Sequence, residues 1–341
     1  MTQDKGVGNN VRILAGLCLL ASFAGCAFGQ YDGDLTATKR IFPGVGPGLR
    51  AVKRGVDGNY YVLASPGSSA SVFDPAGKLI RRVPAYGDSK EPSPQSPQLA
   101  AITFGEDLDV DVQGTVYVAD RGANAIKIWD TKGNARMFKI DAPVSVASLP
   151  DGEVAVATMR EQHLVIVFDK TGRDVREFGD PEPISDRPEL NRFLNIGMLV
   201  TDGGGHLYYA FPYLPEATVR QYDRYGYGGQ DIQYTGVDAW PAAQATRKEI
   251  ARQEQRGEPP VFKRILTAVG VERSSGEVWM ALGDKLLHFD KDGNRRATYL
   301  IYTPEGARLE ANTILIDKDH LIIGSDPLGI YEFVRPDKKT P

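Results

Sequence analysis

One short pattern recurs along this chain and constrains its fold more than any other feature. An aromatic residue is followed by Asp, and Gly stands three positions after that Asp. Asp at the first position and Gly at the fourth are the preferences of a type I turn. We therefore predict that these aspartates shape turns and carry no chemistry. The five copies begin at Phe73-Asp74, Trp129-Asp130, Phe168-Asp169, Tyr222-Asp223 and Phe289-Asp290.

A second, Gly-centred turn precedes each copy, and an alternating apolar segment follows that turn. Such evenly repeated short strands are typical of closed β architectures, so each copy is predicted to be a four-stranded antiparallel meander. The segments that follow the Gly turns are 60–63, 116–119, 154–157, 207–210 and 278–281.

A sixth copy begins at Asn312 and stops after three strands at Val334. A single four-stranded sheet cannot bury both of its faces, so the copies must stack radially. The sequence therefore predicts an all-β fold, a six-bladed β-propeller of four-stranded antiparallel blades over residues 36–335. We expect residues 36–42 to supply the missing fourth strand of the last blade and so close the ring.

Every long insertion falls in a crossing from one blade to the next, and these crossings share one face of a propeller. The crossing between blades four and five is predicted to hold a helix at about 239–257, with Asp238 as its cap and Pro259 beyond its end. Long loops on a rigid scaffold commonly carry function, so we expect the functional site on this face. The insertions are 84–106, 180–192, 235–262 and 302–311.

The segment GTVYVADRGANAIKIWDTKG, residues 114–133, resembles the NHL repeat. The resemblance extends over about residues 40–335 and implies a six-bladed NHL-like propeller. Propellers of this kind include sugar and lactone hydrolases, an amidating lyase and many binding scaffolds. The resemblance therefore implies the fold and leaves the function open.

The first 29 residues have the layout of a secretory leader. Lys5 and Arg12 precede an apolar run over residues 13–23 that is too short to span a bilayer. Two processing routes fit: cleavage before Gln30, or lipidation of Cys26 in a lipobox-like segment in which Phe23 replaces the usual Leu. We expect an exported protein, in the periplasm, outside the cell or as an outer-membrane lipoprotein.

The charge, the cysteines and the absent motifs limit the classes of partner and cofactor that this protein can bind. The net charge of −4 argues against a nucleic-acid partner, which would favour a basic face. Both cysteines, Cys18 and Cys26, lie in the leader, so the exported part has no disulfide and no thiolate metal site. No dinucleotide, phosphate-loop or serine-elbow motif occurs, and no organic cofactor is evident. We expect a monomer that contacts a membrane only through a lipid anchor on Cys26.

A divalent cation such as calcium is the one cofactor that the sequence suggests. Asp107, Asp109 and Asp111 alternate along one strand, so their carboxylates share one side of it. Oxygen-rich sites suit calcium. Lactonase-type propellers hold one metal with carboxylates and amides, and by that resemblance Asp109, Asn195 and Asn312 are candidate ligands. The alternative is that these carboxylates form salt bridges to Arg or Lys of neighbouring blades.

The loop-bearing mouth supplies the candidate ligand-binding residues. Only one of the four histidines, His163, is predicted to lie there. We expect a binding or scaffold module for a peptide, glycan or protein partner at the bacterial cell envelope. The alternative function is a metal-dependent hydrolase or lyase of the lactonase type, with its site at the channel mouth. The binding candidates are Arg121, Asn124, Arg160, His163 and Tyr213.

Overall fold

Each sequence copy forms one four-stranded antiparallel sheet, and the sheets are the blades of a propeller. The computed structural model describes residues 31–84, 101–159, 162–256 and 262–336. Blade one is formed by β3 (Leu49–Arg54), β4 (Tyr60–Ala64), β5 (Ala70–Phe73) and β6 (Leu79–Val83). Blade two is formed by β7 (Gly105–Val110), β8 (Val116–Asp120), β9 (Ala125–Trp129) and β10 (Ala135–Lys139). Blade three is formed by β11 (Pro143–Ser148), β12 (Val154–Thr158), β13 (Val165–Phe168) and β14 (Asp174–Phe178).

The second half of the ring repeats this order. Blade four is formed by β15 (Met198–Thr201), β16 (Leu207–Phe211), β17 (Ala217–Tyr222) and β18 (Gly228–Tyr234). Blade five contains β19 (Ala268–Val271), β20 (Val278–Leu282), β21 (Lys285–Phe289) and β22 (Arg295–Tyr302). Blade six contains β23 (Thr313–Asp317), β24 (His320–Ser325) and β25 (Gly329–Val334). The predicted six-bladed all-β propeller is confirmed.

An N-terminal strand closes the ring. β2 (Lys39–Ile41) pairs antiparallel with β25 and is the fourth strand of blade six, so the predicted closure is confirmed. A further strand, β1 (Gly33–Thr36), was not predicted. It lies parallel to β22 and adds a fifth strand to blade five. Residues 33–41 thus join the outer edges of the last two blades.

The Asp-x-x-Gly copies form the expected turns. The carboxylate of Asp130 accepts the backbone N–H groups of Lys132 and Asn134, and the aspartates of the last three copies bond in the same way. Asp74 of the first copy accepts the N–H of Lys78. The last Gly of each turn has a positive φ, as Gly133 does at 83°, which L side chains rarely adopt. These aspartates therefore shape the turns, as predicted.

The core lies between the blades. Alternate strand residues point to the two faces of each blade, and each face packs against the facing residues of the next blade. Six buried apolar clusters result, one for each junction in the ring. Burial of this apolar area is the main stabilising contribution.

Two helices lie on the face that bears the crossings. The predicted insertion is confirmed as α2 (Trp240–Arg256), although Asp238 does not cap it. Instead Asp238 accepts a hydrogen bond from Tyr234 at 2.6 Å and pairs with Lys285 at 2.9 Å. The other helix, α1 (Pro188–Leu194), was not predicted.

The two helices pack on each other. Ile250 of α2 is buried against Leu190 and Leu194 of α1, which joins two neighbouring crossings into one rigid cap beside the channel. Within the described ranges, neither helix is long and apolar enough to cross a membrane.

Candidate functional site

The innermost strands of the six blades enclose a central channel. Each of them touches the innermost strand of the next blade, and β23 touches β3 to complete the circle. The channel holds a cavity of about 960 Å³ that is lined by all six strands. All innermost strands begin at the face that bears the crossings, so their first residues form one mouth and their last residues form the opposite end. We call the first the loop-bearing mouth.

Two arginines stand over one aromatic ring at the loop-bearing mouth. The guanidinium carbons of Arg50 and Arg121 lie 5.5 and 5.1 Å from the ring centre of Phe104. Both side chains share the carboxylate of Glu106, Arg121 at 2.8 Å and Arg50 at 3.7 Å. We call Arg50 and Arg121 the arginine pair. Two cations and one anion leave this group with one net positive charge.

A buried ion pair in blade two fixes the position of Phe104. Asp120 and Lys127 are 0% and 1% exposed, and Lys127 Nζ lies 2.7 Å from Asp120 Oδ2. Asp120 also accepts the backbone N–H groups of Thr103 and Phe104, both at 2.8 Å. Burial alone would raise the pKa of Asp120, but the hydrogen bonds from Lys127 and these amides outweigh it and lower that pKa. The carboxylate is therefore ionised and holds Phe104 in place.

An aromatic shelf lies elsewhere on the same mouth. Tyr213 is half-buried, and its ring centre is 4.7 Å from that of Phe193, which lies 5.9 Å from that of Phe262. Phe193 belongs to α1, and Tyr213 and Phe262 pack against the α1–α2 cap. Tyr213 and Phe193 also line the cavity. We call Tyr213, Phe193 and Phe262 the aromatic shelf. Such surfaces hold flat or apolar groups of a ligand.

The acidic strand β7 uses its carboxylates to join blades two and three. Asp107 accepts hydrogen bonds from the Ser145 hydroxyl and from the Val146 N–H. Burial raises the pKa of Asp107 even though Lys53 and these hydrogen bonds oppose the rise. Asp109, which is 4% exposed, accepts both the N–H and the hydroxyl of Ser148 at 2.7 Å.

The contacts of Asp109 agree with the alternative that its carboxylate forms a salt bridge to a neighbouring blade. Its second oxygen lies 3.8 Å from Nζ of Lys53 in blade one. Asp109 is the fifth residue of β7, so a rise of about 3.3 Å per residue places it roughly 13 Å from the start of the strand along the channel. Asp109 therefore lies near the end opposite to the loop-bearing mouth.

The other two candidate metal ligands lie at the start of their strands. The amide of Asn195 is turned away from the channel, because its oxygen accepts the Glu182 N–H and its nitrogen donates to the carbonyls of Glu182 and Asn191. Asn312 lines the mouth and accepts the Asp326 N–H at 2.6 Å. The structure does not bring Asp109, Asn195 and Asn312 together. Within the described part of the chain, no three His, Cys, Asp or Glu side chains could hold a metal ion.

The remaining candidates have separate positions. Asn124 adopts the left-handed conformation, with φ 47°, and its side chain accepts the Ala142 N–H at 3.1 Å, so it shapes a loop. His163 is half-buried, and its Nδ1 has no partner among the described residues. Arg160 and Cys26 lie outside the described residues, as do the leader and most of the 84–106 crossing. The structure thus brings Arg121 and Tyr213 to one cavity and gives Asn124 a structural role.

Sequence reasoning missed six residues of the mouth: Arg50, Phe104, Glu106, Phe193, Phe262 and Arg264. Arg264 is exposed, lines the cavity and has no ion pair within the ranges described. Arg50 and Glu106 are each the second residue of an innermost strand. Because residues at the same position of neighbouring innermost strands lie side by side, this shared position could have predicted their contact.

Comparison with known proteins finds similarity of fold. No family model matches the chain. No curated protein matches it either. Among solved structures, a streptogramin B lyase is 12% identical with a TM-score of 0.54 over 86% of this chain and 96% of that one. A virginiamycin B lyase from Staphylococcus aureus is 13% identical with a TM-score of 0.50 over 87% of each chain.

A third structure is a catalytically inactive variant of the virginiamycin B lyase from Staphylococcus aureus, with quinupristin. It is 12% identical with a TM-score of 0.54 over 87% of this chain and 98% of that one. At such identities the similarity shows a shared fold.

Proposed function

We propose that this chain is an exported, NHL-like propeller that acts as a binding module at the cell envelope. Its ligand is a segment of a peptide, glycan or protein partner that enters the loop-bearing mouth. The observation that carries this proposal is the aromatic shelf at the edge of a cavity of about 960 Å³. A rigid, mostly preformed cavity with aromatic walls and a few charged groups is the usual form of a ligand site.

The rigid surroundings of the shelf support the proposal. Phe193 belongs to α1, and α1 is fixed by Ile250 of α2, so the ring positions are set before a ligand arrives. Preorganisation of this kind raises affinity because less conformational entropy is lost on binding.

The test is binding by titration calorimetry with a panel of short peptides that have free carboxyl termini and of soluble cell-wall glycan fragments. At least one member should bind saturably, and Tyr213→Ala should weaken it about fivefold, since stacking on one aromatic side chain contributes roughly 1 kcal/mol. Tyr225→Ala is the matched control, because Tyr225 is 60% exposed in a turn on the opposite face. Equal loss in both variants, or no binding by any member, would contradict the proposal.

A lyase or hydrolase is the second candidate, favoured by the streptogramin-type lyases among the fold neighbours. The described residues do not fit a divalent cation, since the oxygens of Asp109 are engaged by Ser148 and lie near Lys53. The test is chromatography of quinupristin after incubation with the protein, with and without added Mg²⁺ or Ca²⁺. Consumption of quinupristin that Asp109→Ala abolishes would establish the enzyme, whereas intact quinupristin would favour the binding module.

Export is a separate proposal that depends on the leader. Mass spectrometry of the mature protein should find either an N-terminus at Gln30 or a lipid-modified Cys26. An intact N-terminus in the cytosolic fraction would contradict export.

A further inference from the structure

The arginine pair has unused hydrogen-bonding capacity. Arg121 Nε lies 2.8 Å from Glu106, but Arg50 Nη1 lies 3.7 Å from it, which is too long for a hydrogen bond. The Arg50 Nε is buried and has no partner among the described residues. A guanidinium carries five N–H donors, so one shared carboxylate satisfies only a small part of what the two side chains offer.

The charge of the mouth points to a singly charged anion. At the first two positions of the innermost strands and in the loops beside them, three cations, Arg50, Arg121 and Arg264, face two anions, Glu106 and Asp326, which leaves one net positive charge. Deeper in the channel, Asp107 is matched by Lys53. A dianion such as a phosphate monoester would exceed this charge and would meet about twice the repulsion from Glu106 that a monoanion meets. A carboxylate matches this charge, and its two oxygens match the planar guanidinium fork.

Another part of the mouth is apolar. Val144, Met159 and Ile196 line it together with Tyr213 and Phe193. A ligand that satisfies both parts therefore has a carboxylate at one end and bulky apolar groups in the adjoining segment.

The arginine pair is also held in position before binding. The ring of Phe104 lies under both guanidinium groups, and its backbone N–H is bonded to the buried Asp120. Cation–π contact with one fixed ring orients both arginines at once. The side chains of Arg50 and Arg121 are 31% and 46% exposed, but these contacts restrict them more than a surface arginine without partners, whose side chain loses more entropy when it binds an anion.

We propose that the arginine pair binds the carboxylate of the ligand, so that the ligand is the free C-terminal end of a peptide with large apolar residues at that end. This rests on the proposed function, because one of these apolar side chains would lie on the aromatic shelf, across the ring at blade four. The arginine pair then fixes the direction of the peptide, with its carboxylate at blades one and two.

The test compares three probes by titration calorimetry: N-acetyl-Phe-Phe with a free carboxylate, its C-terminal amide, and phenyl phosphate. We expect the acid to bind about tenfold more tightly than the amide, as a charge-assisted hydrogen bond contributes about 1.5 kcal/mol or more. Arg121→Gln should reduce this difference, because it removes one of the two cations and so weakens binding of the acid more than binding of the amide. Arg121→Lys should restore part of it, and added salt should reduce it.

Arg273→Gln is the matched control, because Arg273 is an exposed arginine at the opposite end of the channel. It should bind the acid as the unchanged protein does. Equal affinity for acid and amide, with both weakened by Tyr213→Ala, would overturn the carboxylate subsite and leave the proposed function intact. Tighter binding of phenyl phosphate would overturn the choice of a carboxylate. Failure of both peptides to bind would overturn the inference, while the wider peptide and glycan panel still decides the proposed function.

Discussion

Asp317 in the innermost strand of blade six forms an ion pair with Arg54 in the innermost strand of blade one. This contact crosses the junction at which the last blade meets the first. Tyr60 of blade one donates a second hydrogen bond to Asp317 at 2.5 Å, and Arg54 also lies over the Tyr60 ring. The side chains of Arg54 and Asp317 are 27% and 10% exposed. The junction is thus held by a partly buried polar contact in addition to its apolar cluster.

Breaking this contact should destabilise the ring. We expect Asp317→Ala to lower the free energy of unfolding by about 2 kcal/mol, because it leaves the Tyr60 hydroxyl and the Arg54 guanidinium without their partner. Urea unfolding followed by circular dichroism measures the change. Asp292→Ala is the control, since its pair with Lys291 is exposed, and should change stability by about 0.5 kcal/mol or less. Equal effects would show that Asp317 does not stabilise the junction.

The Asp120–Lys127 pair should make stability depend on pH in the acid range. Folding lowers the pKa of Asp120, so its contribution is fully present above the unfolded value of about 3.9 and is lost as the pH falls through the lower folded value. Asp120→Asn should therefore weaken the loss of stability between pH 5 and pH 2, measured by urea unfolding at each pH. An unchanged pH profile would contradict this assignment.

Removing the lysine should also destabilise blade two. Lys127→Met leaves a buried carboxylate without its cation, so we expect a loss of about 3–5 kcal/mol. Lys132→Met, an exposed lysine in a turn of the same blade, is the control and should be nearly neutral. If both variants unfold at the same denaturant concentration as the unchanged protein, the pair does not stabilise blade two.

Asp109→Ala should lower the melting temperature with or without a metal chelator. The variant loses two hydrogen bonds to Ser148 and leaves Lys53 without its carboxylate, which together contribute about 2 kcal/mol. Thermal scans with chelator and then with calcium, magnesium, zinc or manganese check this. A melting temperature that one metal raises only when Asp109 is present would instead support the metal-dependent alternative.

Gly197→Ala should destabilise the mouth. A Cβ at Gly197 would lie 2.0 Å from Cε1 of Tyr209, whose hydroxyl donates to the Asn195 carbonyl at 2.6 Å. Tyr209 is fully buried and cannot move freely, so overpacking should cost about 1–3 kcal/mol. Gly44→Ala is the matched control, as a Cβ there meets nothing within 4 Å. Chemical denaturation of both variants measures the difference.

The blades could be predicted from sequence because their signals are local. The Asp130 turn and the alternation of β8 and β9 depend on residues only a few positions apart. The strand β2 was predictable for a different reason: β25 would otherwise have had an open edge. By contrast, β1 fills no gap in the repeat, and its four residues are too few for their alternation to mark a strand, so its pairing with β22 could not be predicted.

The candidate site was less predictable, because it depends on side-chain direction and on contacts between blades. Asn195 was assigned to the channel since it precedes an innermost strand, but its amide instead binds the backbone of the crossing before α1. The arginine pair combines residues of blades one and two that are far apart in sequence. Tyr213 was correctly predicted to lie at the loop-bearing mouth, because its loop joins the second and third strands of its blade.

The pairing of β2 with β25 has a consequence for how the chain folds. Thr38 donates to the carbonyl of Glu332, a contact between residues 294 positions apart. Contacts of such long range slow folding, since a large loop must close before they form. A ribosome therefore delivers Thr38 294 residues before Glu332. The early blades can assemble during synthesis, whereas the ring itself can close only after β25 has been made.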